Sequence, residues 1–301
     1  MNSALAIATT VAGIAILKST PLIYAALGGV ISENAGVVNI GLEGMMAGGA
    51  FAAVLASYYT HSLPAAVIAG AFVGGALALV LAYFAIALRA NQIIVGMALN
   101  VFAVGAAALL LTVLFGQPGT SPEVRSFSSI ASSSGPGIAA TLHYALVWMA
   151  LGLVLCAHVI LYRTRVGLHL RAVGEQPRAA AVAGIDVMKI RYVATVLGGV
   201  LAGLGGAYLS VGEVDLYSDG MVAGRGFIAL AAVIFGKWTP LGSFGACLFF
   251  GLFSSLQIAL QRATVPAQLL EMLPYALTIV ALAGFIGRSR PPASDGVPYE
   301  P

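Results

Sequence analysis

The sequence predicts an all-α polytopic membrane protein with about ten apolar segments, some of them short or broken. Three observations carry this. Of 301 residues, 60% are hydrophobic and only 8% are charged, against about 25% charged in soluble domains. The mean hydropathy is +0.98. The 37 glycines suit close helix contacts in lipid, where small residues let backbones approach. Helices are expected because a bilayer offers no water to backbone N–H and C=O groups.

The apolar segments run over residues 3–17, 20–33, 41–60, 63–88, 92–116, 143–162, 191–212, 222–236, 240–261 and 265–287. The first two and the 222–236 run fall short of the roughly 20 residues of a full span. They read as tilted, broken or re-entrant, and a count of eight or nine spans stays open. Residues 1–287 form one transmembrane domain, and 288–301 read as a disordered cytoplasmic tail. Ser, Gly and Pro make 117–142 an irregular loop. The shorter loop 212–225 carries Glu213, Asp215 and Asp219. It reads either as a solvated connection or as a docking rim for a second protein.

Residues 163–191, RTRVGLHLRAVGEQPRAAAVAGIDVMKIR, are a charged island between two apolar runs. Its Arg and Lys residues place it in the cytoplasm, because basic short loops stay on that side. Alternation from there puts Arg89, Arg288 and Arg290 inside and Lys18, Arg125, Arg225 and Arg262 outside, with both termini cytoplasmic. Within the island, Pro177 suits a first helical position and Gly184 a stop. The helix between them has roughly seven residues, about 10 Å, too short to cross a membrane. A soluble partner can grip such a helix; the alternative is a plain connector.

Polar residues within apolar segments are costly in lipid and mark function or a structural joint. Asn39 and Glu43 are four apart in VVNIGLEGMMAGG and share a helix face. The surrounding glycines let the chain break there. One reading is a broken helix lining a solute pathway; the other is that Asn39 and Glu43 hold the break in place. Gln92 and Asn100 in the fifth segment and Gln257 in the ninth stand under the same two readings. Tyr24, Phe51 and Tyr217 can stack on a base or simply pack.

Covalent chemistry finds no support. The GK of AAVIFGKWT lacks the first glycine of a Walker loop. The four histidines show no HExxH spacing or Cys partners, so no metal site is expected. Cys156 and Cys247 read as small hydrophobes. Only Glu43, and less plausibly Glu33 and Glu271, suit a proton carrier. That points to an energising partner.

The chain resembles the permease subunits of bacterial ABC importers in the branched-chain amino acid, ribose and nucleoside superfamily. Two motifs carry the likeness. Residues 21–53 contain ENAGVVNIGLEGMMAGG, similar to a stretch of the nucleoside branch, with Asn34 where Arg is common. Residues 170–187, LRAVGEQPRAAAVAGIDV, look like the superfamily's coupling segment, with Gln176 in place of the usual Asn. Residues 224–244 are also similar. The resemblance implies a type II importer-like permease in the bacterial plasma (inner) membrane. It carries no cofactor; ATP and Mg bind a cytoplasmic ABC ATPase that docks on Arg171, Gly174, Glu175, Pro177, Arg178, Ala180, Gly184 and Ile185. It further implies a second permease subunit, a paralogue or another copy. A substrate-binding lipoprotein would dock at Glu213, Asp215 and Asp219, and the partners include the bilayer but no nucleic acid. The expected solute is a nucleoside. The alternatives are a simple sugar carried by the same machinery, or a self-sufficient secondary carrier.

Overall fold

The computed structural model describes residues 2–116, 118–127, 145–260 and 290–300. The apolar segment 265–287, Glu271, Arg262, Arg288 and most of the 117–142 loop lie outside them. The described residues form helices, and a lone bridge between Thr120 and Ser218 is the only β pairing among them. In chain order the helices are α1 (Asn2–Asn34), α2 (Leu42–Thr60), α3 (Leu63–Ala82), α4 (Gln92–Phe115), α5 (Ala145–Arg163), α6 (Arg165–Glu175), α7 (Pro177–Val182), α8 (Val187–Ala207), α9 (Arg225–Phe235) and α10 (Pro240–Leu260). Wider π-helical turns extend α3 through Tyr83–Ala87 and α8 through Tyr208–Val214. Six stretches are long and apolar enough to cross a membrane: Val11–Asn34, Leu63–Ala87, Gln92–Phe115, Ala145–Arg163, Val187–Val214 and Pro240–Ile258.

The two expected segments 3–17 and 20–33 are one helix, α1, with Pro21 inside it. A proline cannot donate to the carbonyl four residues back. That carbonyl, on Leu17, accepts instead from the Tyr208 hydroxyl at 3.2 Å. Ser19 and Thr20 bond back to Ala15 and Ile16. The polar cluster KSTP therefore marks a seam inside a helix, where the sequence suggested a break.

This merger changes the topology. Lys18 forms an ion pair with Glu213, at the far end of α8. The other end of α1 meets α6, because a Cβ on Gly174 would strike the Asn34 carbonyl. Residues 290–300 sit at that same end, with the Ser294 N–H on the Gly174 carbonyl at 2.9 Å. Along α1, Lys18 thus lies toward Glu213 at the end of α8, and the 290–300 stretch lies at the α6 end. The expected disordered tail is corrected: 290–300 is a packed segment with buried Pro292 and Ser294.

The core is built on α1 and α8. In each of their spans 72% is buried, against 28% for α4 and α10. Helices α2, α3 and α8 meet through glycines. A Cβ on Gly49 would lie 2.6 Å from both the Cα and the carbonyl oxygen of Gly203. Main chains thus touch directly, as small residues permit in lipid.

Candidate functional site

Between α1 and α2 the backbone leaves the helix for seven residues, 35–41, deep within the molecule. Gly36 makes the turn at φ +84, a conformation that strains any side chain. Buried non-helical backbone needs partners for its N–H and C=O groups. Here α4 supplies the partners. The Gln92 side-chain oxygen accepts from the Val38 N–H at 2.7 Å. The Asn100 amide donates to the Ile40 carbonyl at 2.9 Å and accepts from the Gly44 N–H at 2.8 Å. Asn91 caps α4 by accepting from the Ile93 and Ile94 N–H groups. The fifth segment's polar residues thus clasp the break.

Glu43 performs a second clasp. Its Oε1 accepts from the Gly224 N–H at 2.8 Å, and its Oε2 accepts from the Gly226 N–H at 2.7 Å. Both donors belong to the start of α9, so the carboxylate caps that helix at its positive end. The two glycine-bearing motifs, 181 residues apart, meet here. Gly226 is small by necessity: a Cβ there would lie 2.5 Å from Glu43 Cα. Asn39 is fully buried; its amide reaches Met45 Sδ at 3.7 Å and its Oδ1 has no partner among the described residues. The Nε2 of Gln92 is likewise unpartnered. Four of the five candidate pathway residues therefore gather at one joint. Gln257 stands apart, half-buried on α10, a helix that packs on α1, α9 and α5.

At its α7-side end, α1 is latched to the turn between α9 and α10. The Trp238 indole donates to the Glu33 carboxylate. Asn34 donates to the Trp238 carbonyl at 2.8 Å and to Val30 at 2.7 Å. Neither Lys237 nor Trp238 is glycine, yet both have positive φ, 54 and 55. This latch is invisible to sequence spacing.

The short helix expected between Pro177 and Gly184 is present. α7 starts at Pro177, and Gly184 turns the chain at φ +84. The amphipathic α6 before it is an element the sequence did not announce; Thr164 caps its start by accepting from the Gly167 N–H. Ala180 is buried with Val173 and Val187, and Ile185 packs on that cluster. Gly174 and Glu175 face the 290–300 segment: their carbonyl and carboxylate accept from Ser294 and Ala293 N–H. Arg171 lies over the Tyr162 ring at 4.8 Å. Arg178 is exposed. Val182, which sequence reasoning passed over, ends α7 with 91% of its surface exposed.

On the opposite face, the candidate docking acids are tied into structure. Glu213 pairs with Lys18. The Asp215 carbonyl accepts from the Val124 N–H at 2.8 Å, and the Asp219 N–H donates to the Gly119 carbonyl at 2.7 Å. Asp215 and Asp219 thus hold the two loops together through their backbones, Glu213 ties the second loop to α1, and Asp219 is exposed. The aromatics considered for stacking are packed. Tyr24 is fully buried and donates to the Leu146 carbonyl, while Phe51 and Tyr217 meet edge to face at 5.3 Å. Among the described residues no group of three His, Cys, Asp or Glu gathers to hold a metal.

Comparison with known proteins agrees with this architecture. The model of the branched-chain amino acid transport system / permease component family matches residues 11–282. The guanosine ABC transporter permease protein NupQ of Bacillus subtilis is 40% identical, over 94% of both chains. The nucleoside ABC transporter permease protein NupC of Lactococcus lactis is 36% identical, again over 94% of both. The same two bacteria hold more distant matches, the permease proteins NupP and NupB, at 27% and 23% identity. A solved chain described as a metal-chelate type ABC transporter in an inward-facing conformation shares the fold at TM-score 0.51 and 17% identity. It covers 90% of this chain and 85% of its own. The chain belongs to the branched-chain amino acid transport system permease family of ABC transporters.

Proposed function

We propose that this chain is a pore-forming permease of an ATP-driven nucleoside importer in a bacterial plasma membrane. Its α7 face is cytoplasmic and the start of α1 is external. The observation that carries the reading is the joint at 35–44, where a buried helix break meets the start of α9 and leads directly to the coupling segment. The high identity to permeases named for guanosine and nucleosides supports the solute class. Paralogous permease names in the same two bacteria support a second, related subunit as partner.

The contacts support a mechanism. A cytoplasmic ATPase engages α7, and its ATP-driven closure moves α6 and α7 as a unit. Gly174 abuts Asn34 at the end of α1, so this motion reaches the break directly. The break can change shape because its backbone is held by side chains and not by a helical ladder. The clasp by Gln92, Asn100 and Glu43 then sets two helix starts, α2 and α9, relative to each other. A solute delivered by an extracytoplasmic binding protein passes between permease subunits as these starts reorient. ATP and Mg act on the partner ATPase, and this chain supplies the passage.

The test is uptake of labelled nucleosides and sugars in cells carrying the whole gene cluster, with and without Val182→Asp. Val182 is exposed, so the substitution leaves the core intact. Nucleoside uptake that Val182→Asp abolishes, with normal protein in the membrane, is the expected result. Sugar uptake in place of nucleoside uptake overturns the solute class. Uptake unchanged by Val182→Asp overturns ATPase coupling through α7 and favours a self-sufficient carrier.

A further inference from the structure

We propose that the 290–300 segment forms the second wall of the ATPase docking surface. With α7 it makes one cleft that receives an ATPase element presenting an acidic side chain beside an apolar one. This rests on the reading of α7 as the ATPase contact and extends it to a segment that reading does not use.

A cleft of about 530 Å³ separates the start of α7 from the 290–300 segment. Gln176, Pro177 and Arg178 line one wall, and Val297, Pro298 and Tyr299 the other. The second wall is built, not draped. The Ser294 N–H and hydroxyl both donate to the Gly174 carbonyl, at 2.9 and 2.5 Å. The Ala293 N–H donates to Glu175 at 3.3 Å. Arg191, 1% exposed, donates to the Val297 carbonyl at 3.0 Å. Tyr299 packs on the Val173, Ala180 and Val187 cluster that also seats α7. The two walls therefore share a foundation.

An unpaired cation and an exposed apolar side chain choose the occupant. Two carboxylates also line the cleft, Glu175, which accepts from the Ala293 N–H at 3.3 Å, and Glu300, 3.9 Å from Arg89, and neither pairs with Arg178. Arg178 is exposed and has no carboxylate partner among the described residues. The lining is apolar and open at Val297, 53% exposed, and the exposed Val182 lies four residues beyond Arg178 on α7. A cation beside two exposed valines fits a protein loop bearing an acid and an apolar residue.

The experiment uses the complete transporter with its own ATPase. Val297→Asp keeps the backbone carbonyl that Arg191 holds and alters only the exposed side chain. Expected is at least a tenfold weaker retention of the ATPase on the purified permease, with unchanged thermal unfolding of the permease alone. Arg178→Glu gives a similar loss. The second measurement is thiol labelling of Val297→Cys and Val182→Cys in a Cys156→Ser background, since Cys156 is exposed and Cys247 buried. ATPase protection of both positions supports the proposal even if Val297→Asp proves unstable. Protection of position 182 alone, with full ATPase retention in Val297→Asp, overturns the proposal and leaves α7 as the contact. Protection of neither position overturns the ATPase-docking reading itself, and the proposal with it.

Discussion

Glu43→Gln separates a structural clasp from a solute-binding carboxylate. In the folded chain both carboxylate oxygens accept backbone N–H groups, from Gly224 and Gly226. A carboxamide has one acceptor. Its NH2 group must face the remaining N–H, donor against donor, and flipping the amide only exchanges which bond is lost. One charge-assisted hydrogen bond contributes about 1.5–3 kcal/mol. A negative charge at a helix start contributes about 0.3–1 kcal/mol more. The sum is about 2–4 kcal/mol. The expected outcome is a lower unfolding temperature in detergent, by on the order of 5 °C, and less protein in the membrane. Uptake per molecule that does fold should be largely kept. Glu43→Asp should not rescue, since its shorter side chain cannot span both donors. A Glu43→Gln protein with unchanged unfolding temperature and abundance but no uptake would refute the clasp and assign Glu43 to the solute pathway.

The other predictions use the same joint and its neighbours. Asn100→Ala removes two bonds to the break and should cost about 1–3 kcal/mol, given that interhelical bonds in membranes contribute about 0.6–1.7 kcal/mol each. Asn100→Asp keeps the acceptor for Gly44 and should recover part of that, read as unfolding temperature. Gly49→Ala places a methyl 2.6 Å from the Gly203 backbone; α2 and α8 must separate by roughly 0.6–0.8 Å, and overpacking of this kind costs about 1–3 kcal/mol. Loss of folded protein on a size-exclusion profile checks it. Burial lifts the Asp295 carboxyl to about 7, against the opposing pull of Arg191 and the Gly296 N–H; an unfolded Asp titrates near 3.9. The docked segment thus holds a proton that the released segment gives up, so docking weakens as pH rises from about 4 to about 7 and is level above. Hydrogen exchange of 290–300, corrected for intrinsic rates, should show several-fold more protection at pH 5.5 than at pH 8, a difference that Asp295→Asn removes.

Much of this was legible in the sequence, for reasons specific to membranes. Low charge and long apolar runs predict helices directly, because lipid permits few alternatives. Pro177 and Gly184 predicted α7 because they act locally, at positions 1 and past the end of one short helix. The clustering of Asn39, Glu43, Gln92 and Asn100 was signalled by the cost of polar groups in lipid, but not their partners. Backbone donors carry no sequence label, so Gly224 and Gly226 were invisible as the ligands of Glu43. The merger of the first two segments failed for the same reason. KSTP reads as a break until Tyr208, from a helix 191 residues away, supplies the missing bond to Leu17. The packed 290–300 segment escaped because its order comes from Arg191 and Gly174, not from its own proline-rich composition.

The contacts also explain why the break sits where it does. Gly36 faces Arg191 on α8 and Ser294 of the 290–300 segment; a Cβ there would lie 2.8 Å from the Arg191 Nη2 and 3.1 Å from the Ser294 carbonyl oxygen. Val38 lies against Gly296, where a Cβ would stand 3.3 Å from its side chain. The first residues of the break therefore rest on the segment that is bonded to Gly174, one turn before α7. The last residues of the break are held by Asn100 and lead into Glu43, which fixes α9. An intact helix across 35–41 would pass a push along its own axis to α2 alone. A break held by separate hydrogen bonds can take the push at one end and hand it to two helices at the other. Packed elements of this kind exchange between discrete arrangements and do not deform smoothly, which is the property an alternating passage requires.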